Sequence, residues 1–272
     1  MELKAAAAIG AYVSGVDLTD LEKARELVAP INEALAKFGV LFFRDQPFSG
    51  EQLVAFSQLF GPSFIQPALA HKYQELLIIE TSKDRPPYLN TFHQDMTGLE
   101  APPGLHMLHA LIVPEGGGDT MWSSSYAVYE ALSAPMRTFL ETLTATHNLL
   151  HDYTPIFSRW PNGPEKIAEF TERFPPVSHP VIRTHPVTGR KGLFVNPYFT
   201  EHIDGLSEPE SETLLNYLYD QIQTPEYCVR LRWEVGTLAI WDNRCTSHYA
   251  LADYYPQRRK MQRATVCGER PE

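Results

Sequence analysis

Between residues 19 and 39, apolar side chains recur at Leu21, Ala24, Leu27, Val28, Ile31 and Leu35. That three-and-four spacing is one face of a helix, and Gly39 marks its stop. The run Val40-Leu-Phe-Phe-Arg-Asp that follows reads as a buried strand. Ser49 with Gln52 has capping-box spacing and opens a second helix to Phe60. Residues 75–81 are a further strand. Beyond them the pattern turns strand-rich, with candidates at 91–97, 105–113, 145–150, 177–185, 192–195, 227–233, 237–241 and 258–267. Two helical patterns interrupt these strands. One covers 125–142 and breaks near Pro135; the other covers 207–223, with Ser207 and Glu210 in capping-box spacing. The proline-rich stretch 152–180 reads as a long loop, a lid by its length, with a short helix around 166–174. Short strands, frequent turns and a few outer helices predict a mainly β chain with peripheral helices, an antiparallel sandwich or barrel. With 272 residues it is expected to be one domain, 1–272.

Composition narrows the class. Lys plus Arg is 23 and Asp plus Glu is 33, a net charge of −10. An acidic chain without a long basic run is a poor match for nucleic acid or an anionic membrane, so neither is expected as a partner. The three cysteines, Cys228, Cys245 and Cys267, are odd in number and widely spaced, which argues against a disulfide framework and a CxxC zinc site. The N-terminal segment lacks the apolar core of a signal peptide, and no run approaches the roughly 18 apolar residues of a membrane span. A cytoplasmic protein is expected.

The candidate chemistry starts at Thr-Phe-His93-Gln-Asp95. On a strand, residues i and i+2 share a face, so the imidazole and the carboxylate would point together. His248, just after the apolar segment Thr-Leu-Ala-Ile-Trp241, is the candidate third ligand. Two imidazoles and one carboxylate on one face of a metal leave positions open, the arrangement of non-haem Fe(II) oxygenases. HxD alone also describes a solvated strand end. His147 and His151 are four apart without an acidic partner and read as structural. His106 and His109, three apart in a predicted strand, face opposite ways and are poor co-ligands; His71, His179, His185 and His202 read as structural or surface residues. In the closing strand, alternation places Arg259, Met261, Arg263 and Thr265 on one side. Two inward arginines need anions, and a guanidinium fork matches a carboxylate. Arg258-Arg259-Lys260 also describes a solvated run.

Longer motifs resolve these alternatives. FFRDQ, FHQD, PPG, GGDTMWSS, YEALS, HPVIRTHPVTG, LFVN, IWDNRCTSHYALADYYPQRR and the closing RAT occur in that order. In them the chain resembles the TauD/TfdA family of Fe(II)- and 2-oxoglutarate-dependent dioxygenases over about residues 8 to 270. The resemblance implies a double-stranded β-helix, or jelly roll, with Fe(II) held by His93, Asp95 and His248. It implies that Arg259, with Thr120, binds the co-substrate 2-oxoglutarate, that Arg263 binds the acidic group of a small anionic organic substrate, and that Phe199 lies beside that substrate. Trp241 would pack beside the iron pocket or serve as plain core. O2 would be consumed, with succinate and CO2 as co-products. Retention of Asp95 argues against halogenation. A homo-oligomer, dimer or tetramer, is also implied.

Departures from the family pattern bear on substrate. Gln66 stands where taurine-cleaving members have a histidine, Leu69 where they have a tyrosine, and Leu89 where they have an asparagine. The groups that would read taurine's amine are missing, which favours a sulfonate, sulfate ester or carboxylate with a more apolar body. Alkylsulfate or aryloxyalkanoate oxidation, and desaturation, remain alternatives within this class. Outside it stand a cupin-like metal isomerase or lyase, which needs neither Arg259 nor Thr120, and a non-catalytic binding module, which would be expected to have lost a ligand.

Overall fold

The computed structural model describes residues 1–66 and 74–272; Leu69 and His71 lie outside the described residues. The chain runs β1 (Glu2–Ala5), β2 (Ala11–Ser14), α1 (Leu21–Phe38), β3 (Val40–Phe43), α2 (Gly50–Ser57), β4 (Leu76–Thr81), β5 (Leu105–Ile112) and β6 (Thr120–Ser124). It continues through α3 (Ser125–Ala131), α4 (Ala134–Leu140), β7 (Thr144–His147), α5 (Leu150–Phe157), α6 (Gly163–Arg173), β8 (Val177–Pro180), β9 (Ile182–Thr184) and β10 (Lys191–Leu193). The last part holds β11 (Thr200–Ile203), α7 (Glu208–Ile222), β12 (Cys228–Leu231), β13 (Leu238–Asp242), β14 (Thr246–Ala250) and β15 (Arg259–Val266).

The helix signals sit where the sequence places them. Asp20 caps α1 by accepting from the Lys23 amide, and Gly39, at φ 71°, ends it with a bond to the Leu35 carbonyl. That left-handed φ costs a glycine little and other residues more. The Ser49–Gln52 capping box opens α2, which stops at Ser57 rather than Phe60. The broken helix over 125–142 is two helices: Ser133 caps α4, and Pro135 sits in its first turn, where its missing N–H costs nothing.

Two readings are corrected. Residues 91–97 are not a strand: His93 makes one isolated bridge to His248, and the chain then turns, with Met96 at φ 57°. The stretch 152–180 is not mainly loop: the short helix expected around 166–174 is α6, but most of α5 and all of β8 fall there too. Tyr153, Phe157 and Phe170 bury themselves together with Phe199 and Met96, and that aromatic burial outweighs the local breaking tendency of the prolines.

Seven strands form the large sheet, in the order β1-β2-β3-β13-β5-β15-β4, antiparallel except for the β2–β3 pair. The smaller sheet β12-β6-β14 packs across it. Alternation sorts the side chains. Leu41, Phe43, Met107, Leu238 and Ile240 face the layer under α1 and α2. Val40, Phe42, Leu108, Ala239, Trp241 and Met261 face Trp122, Val229 and Leu231 of the smaller sheet. Met261 thus marks the inner face of β15, and Arg259, Arg263 and Thr265 share that face by the period of two.

Candidate metal centre and adjoining anion sites

The isolated bridge builds the centre. The His93 amide donates to the His248 carbonyl at 3.0 Å and the His248 amide to the His93 carbonyl at 2.8 Å, so two residues far apart in sequence become cross-strand neighbours. Their ring centroids are 4.1 Å apart. Asp95 closes the group: His93 Nε2 lies 3.6 Å from its Oδ1 and His248 Nε2 3.8 Å from its Oδ2. One ligand atom from each of the three lies within 4.8 Å of the others, and all three residues are buried.

The backbone around Asp95 is held from the far end of the chain. Asn243 Oδ1 accepts from the Asp95 amide at 2.9 Å, while its Nδ2 donates to the Asp95 and Pro103 carbonyls, each at 3.0 Å. The His93 ring is fixed by Nδ1, 2.9 Å from the Thr91 carbonyl. A carbonyl only accepts, so Nδ1 carries the proton and Nε2 turns its lone pair to the centre. Burial raises the Asp95 pKa, but Arg263, His106 and His248 outweigh it and hold the carboxyl well below its usual range. Burial, followed by His93, holds His248 well below its ordinary value. Two ring nitrogens and an ionised carboxylate, buried together with their backbones clamped, fit an ion such as Fe(II) bound on one face.

Two guanidiniums on the inner face of β15 flank the centre differently. Arg259 is 6 % exposed. Its Nε donates to the Gly118 carbonyl at 3.0 Å, and its guanidinium carbon lies 5.9 Å from the Trp233 ring and 6.0 Å from the Tyr254 ring. Among the described residues no carboxylate pairs with it, and burial pushes its pKa down. Thr120 Oγ1 accepts from Trp233 Nε1 at 2.9 Å, which leaves the hydroxyl proton to donate. Gly118, at φ 72°, lets the loop pass this close: an added Cβ would sit 3.2 Å from Arg259 Cδ.

Arg263 instead reaches the centre itself, with Nη1 2.8 Å from Asp95 Oδ2. It lines a small cavity together with Phe64, Gln66, Met96, His106 and Thr265. Gln66 Nε2 donates to the Tyr153 hydroxyl at 3.4 Å. Phe199 is buried in the neighbouring aromatic cluster, and its amide donates to Asn196 Oδ1 at 2.9 Å. Phe199 and the half-buried Leu89 are not in this cavity wall. Trp241 does both things proposed for it: it belongs to the inter-sheet core and lies 5.1 Å from the His248 ring.

His106 is the site residue that sequence reasoning passed over. It faces the opposite way from His109, as alternation requires, but its own face is that of the centre: Nε2 lies 3.4 Å from Asp95 Oδ2. No signal marks it, because β5 is apolar on both faces around it. His147 is structural as read, with Nδ1 3.0 Å from Thr97 Oγ1.

This arrangement defines a class, metal-dependent oxygenases of the two-histidine, one-carboxylate type, and the relatives of the chain specify it. The model of the taurine catabolism dioxygenase TauD, TfdA family matches residues 2–265, and the chain belongs to that family. An alkylsulfatase of Acinetobacter baylyi is 36% identical over 264 residues, covering 96% of this chain and 83% of that protein. An alpha-ketoglutarate-dependent sulfate ester dioxygenase of Pseudomonas putida is 34% identical, covering 97% and 88%. A taurine dioxygenase from Burkholderia xenovorans superposes with a TM-score of 0.81 at 34% identity, over 99% of this chain and 92% of that one. AAD-2, solved with Mn(II) and N-oxalylglycine, superposes with a TM-score of 0.80 at 28% identity, over 100% and 99%. The chain is an oxidoreductase, a dioxygenase that uses Fe(II), 2-oxoglutarate and O2. No helix among the described residues is long and apolar enough to cross a membrane.

Proposed function

We propose that this dioxygenase oxidises a small organic sulfate ester or sulfonate with an apolar body, and is not adapted to taurine. In this reading His93, Asp95 and His248 hold the iron, Arg259 and Thr120 hold the far carboxylate of 2-oxoglutarate, and Arg263 holds the anionic head of the substrate. The observation that carries it is the inner face of β15. The two arginines are four positions apart, about 13 Å at some 3.3 Å per strand residue, too far to grip one small anion. Arg259 is buried without a carboxylate partner among the described residues, a state a folded protein tolerates when an anionic ligand completes it. Named activities of relatives on alkyl sulfates, sulfate esters and sulfonates support the choice of substrate, and the two packed sheets support a double-stranded β-helix as the fold.

Bound iron supplies the O2-dependent oxidation of 2-oxoglutarate to succinate and CO2 that drives oxidation of a substrate C–H bond. The chain supplies placement. Thr120 and Arg259 fix one end of 2-oxoglutarate, so the other end meets the metal in one orientation. Arg263 and Gln66 fix the substrate's head, so one carbon faces the metal. Tyr153, Phe157, Phe170 and Phe199 keep the adjoining region apolar and exclude water. Gln66, engaged with Tyr153, offers an amide rather than an imidazole to the head group.

The test pairs two measurements. Anaerobic visible absorption of the protein with Fe(II), then with 2-oxoglutarate, should show a charge-transfer band only with both. Turnover should then favour longer alkyl sulfates or alkylsulfonates over taurine. A clear taurine preference would sink the substrate assignment; absence of the band with iron bound would sink the co-substrate site.

A further inference from the structure

We propose that His106 is a positioning residue of the metal centre: its Nε2–H holds one oxygen of the Asp95 carboxylate, so that Asp95 presents the other oxygen to iron. The inference rests on the assignment of His93, Asp95 and His248 as ligands, and adds a residue that is not one of them.

The ring cannot choose its direction freely. In the large sheet His106 lies between Trp241 on β13 and Thr265 on β15, opposite each in register. It stacks on Trp241 at a centroid distance of 4.9 Å and an interplanar angle of 21°, and its Nδ1 is 3.2 Å from Thr265 Oγ1. These neighbours place Nε2 3.4 Å from Asp95 Oδ2. Nε2 is buried and has no hydrogen-bond partner among the described residues, and about half an ångström separates this contact from a normal N–H···O distance. A ring with its proton on Nδ1 would set a lone pair against the carboxylate. With the Thr265 hydroxyl donating to Nδ1, the proton sits on Nε2 and the contact is attractive. Arg263 shares the same oxygen at 2.8 Å, but in the proposed function it must also bind the substrate's head. His106 is the donor that stays on Asp95 while Arg263 does so. Ligating carboxylates are routinely held by such outer partners, and losing one typically weakens metal binding about 10- to 100-fold.

The test is titration of Mn(II), which is redox-silent, into the apo-protein, followed by calorimetry or by the EPR signal of free Mn(II). His106→Leu keeps bulk without the donor and should bind Mn(II) about 10- to 100-fold more weakly. His106→Gln places an amide N–H near the Nε2 position and should restore affinity to within about threefold of the original. Thr265→Val removes the hydroxyl that sets the tautomer and should weaken binding in the same direction, which keeps the idea testable if His106→Leu folds poorly. Unchanged Mn(II) affinity in both His106→Leu and Thr265→Val would overturn the proposal. So would a His106→Gln protein that folds yet binds as weakly as His106→Leu, because ring packing would then be the cause. A raised substrate KM with unchanged Mn(II) affinity would place His106 on the substrate and also overturn it. His248→Ala that leaves Mn(II) binding intact would remove the ligand assignment itself. Normal Mn(II) behaviour with no charge-transfer band would remove only the proposed co-substrate site.

Discussion

Replacing Arg259 by methionine should leave the apo-protein about as stable or more stable, and should strongly weaken its use of 2-oxoglutarate. Both effects come from one feature, a buried guanidinium with no carboxylate partner among the described residues. In the apo-protein its desolvation is offset by the 3.0 Å bond to Gly118 and by the faces of Trp233 and Tyr254. Exchanging a buried charge for a well-packed apolar side chain is often neutral or stabilising by about 1–4 kcal/mol, and losing the Gly118 bond takes back about 1 kcal/mol. The net should lie between about 1 kcal/mol lost and about 3 kcal/mol gained. Truncating one member of a buried, hydrogen-bonded charge pair costs about 2–5 kcal/mol of binding. At about 1.4 kcal/mol per factor of ten, that is a loss of roughly 30-fold or more in 2-oxoglutarate affinity. Urea unfolding of the apo-protein gives the first quantity, and titration of the Fe(II)–2-oxoglutarate band gives the second. A variant destabilised by more than about 2 kcal/mol that still bound 2-oxoglutarate normally would refute the reasoning, since Arg259 would then be a structural cation.

Three further outcomes can be checked. Arg263→Ala should raise the substrate KM while leaving the 2-oxoglutarate band in place; loss of the band instead would reverse the roles of the two arginines. Asn243→Ala leaves the Asp95 amide and two carbonyls without their partner, so it should cost about 2–4 kcal/mol in urea unfolding and weaken Mn(II) binding. Burial holds His147 down at about 3. The unfolded chain takes up that proton near 6.5 and the folded chain does not, so this contribution to stability is complete above about pH 6.5 and falls by about 1.4 kcal/mol per unit as pH drops towards 3. His147→Gln should flatten that part of the pH–stability curve, and an unchanged slope would show that His147 is not its source.

Much of this site could be read from the sequence because strand periodicity is simple where the two faces differ. On β15 the alternation of Arg259, Met261, Arg263 and Thr265 with Lys260, Gln262 and Ala264 sets the arginines on one side, and the structure keeps them there. His93 and Asp95 do converge, but by a bridge and a turn rather than a strand. The turn depends on Asn243, whose bonds reach across 148 residues, and no local pattern encodes such a clamp. His106 reads from the sequence only as a poor co-ligand, because both faces of β5 are buried and alternation does not tell which of them meets the site. The prolines of 152–180 outweighed the helical signal around them locally, yet Pro164 lies in the first turn of α6, where proline is favoured, and the aromatic cluster supplies the burial that a window of sequence does not show.

The order β13-β5-β15-β4 has a consequence for how the protein is made. β4 and β5 emerge early from the ribosome, yet in the large sheet β4 pairs with β15, and both edges of β5 wait for β13 and β15. The bridge that brings His93 to its partner waits for residue 248. A nascent chain therefore carries half of the candidate metal centre and unpaired strand edges until β13, His248 and β15 are free to join them. Loss of β15 would unpair β4 and remove Arg259 and Arg263 together.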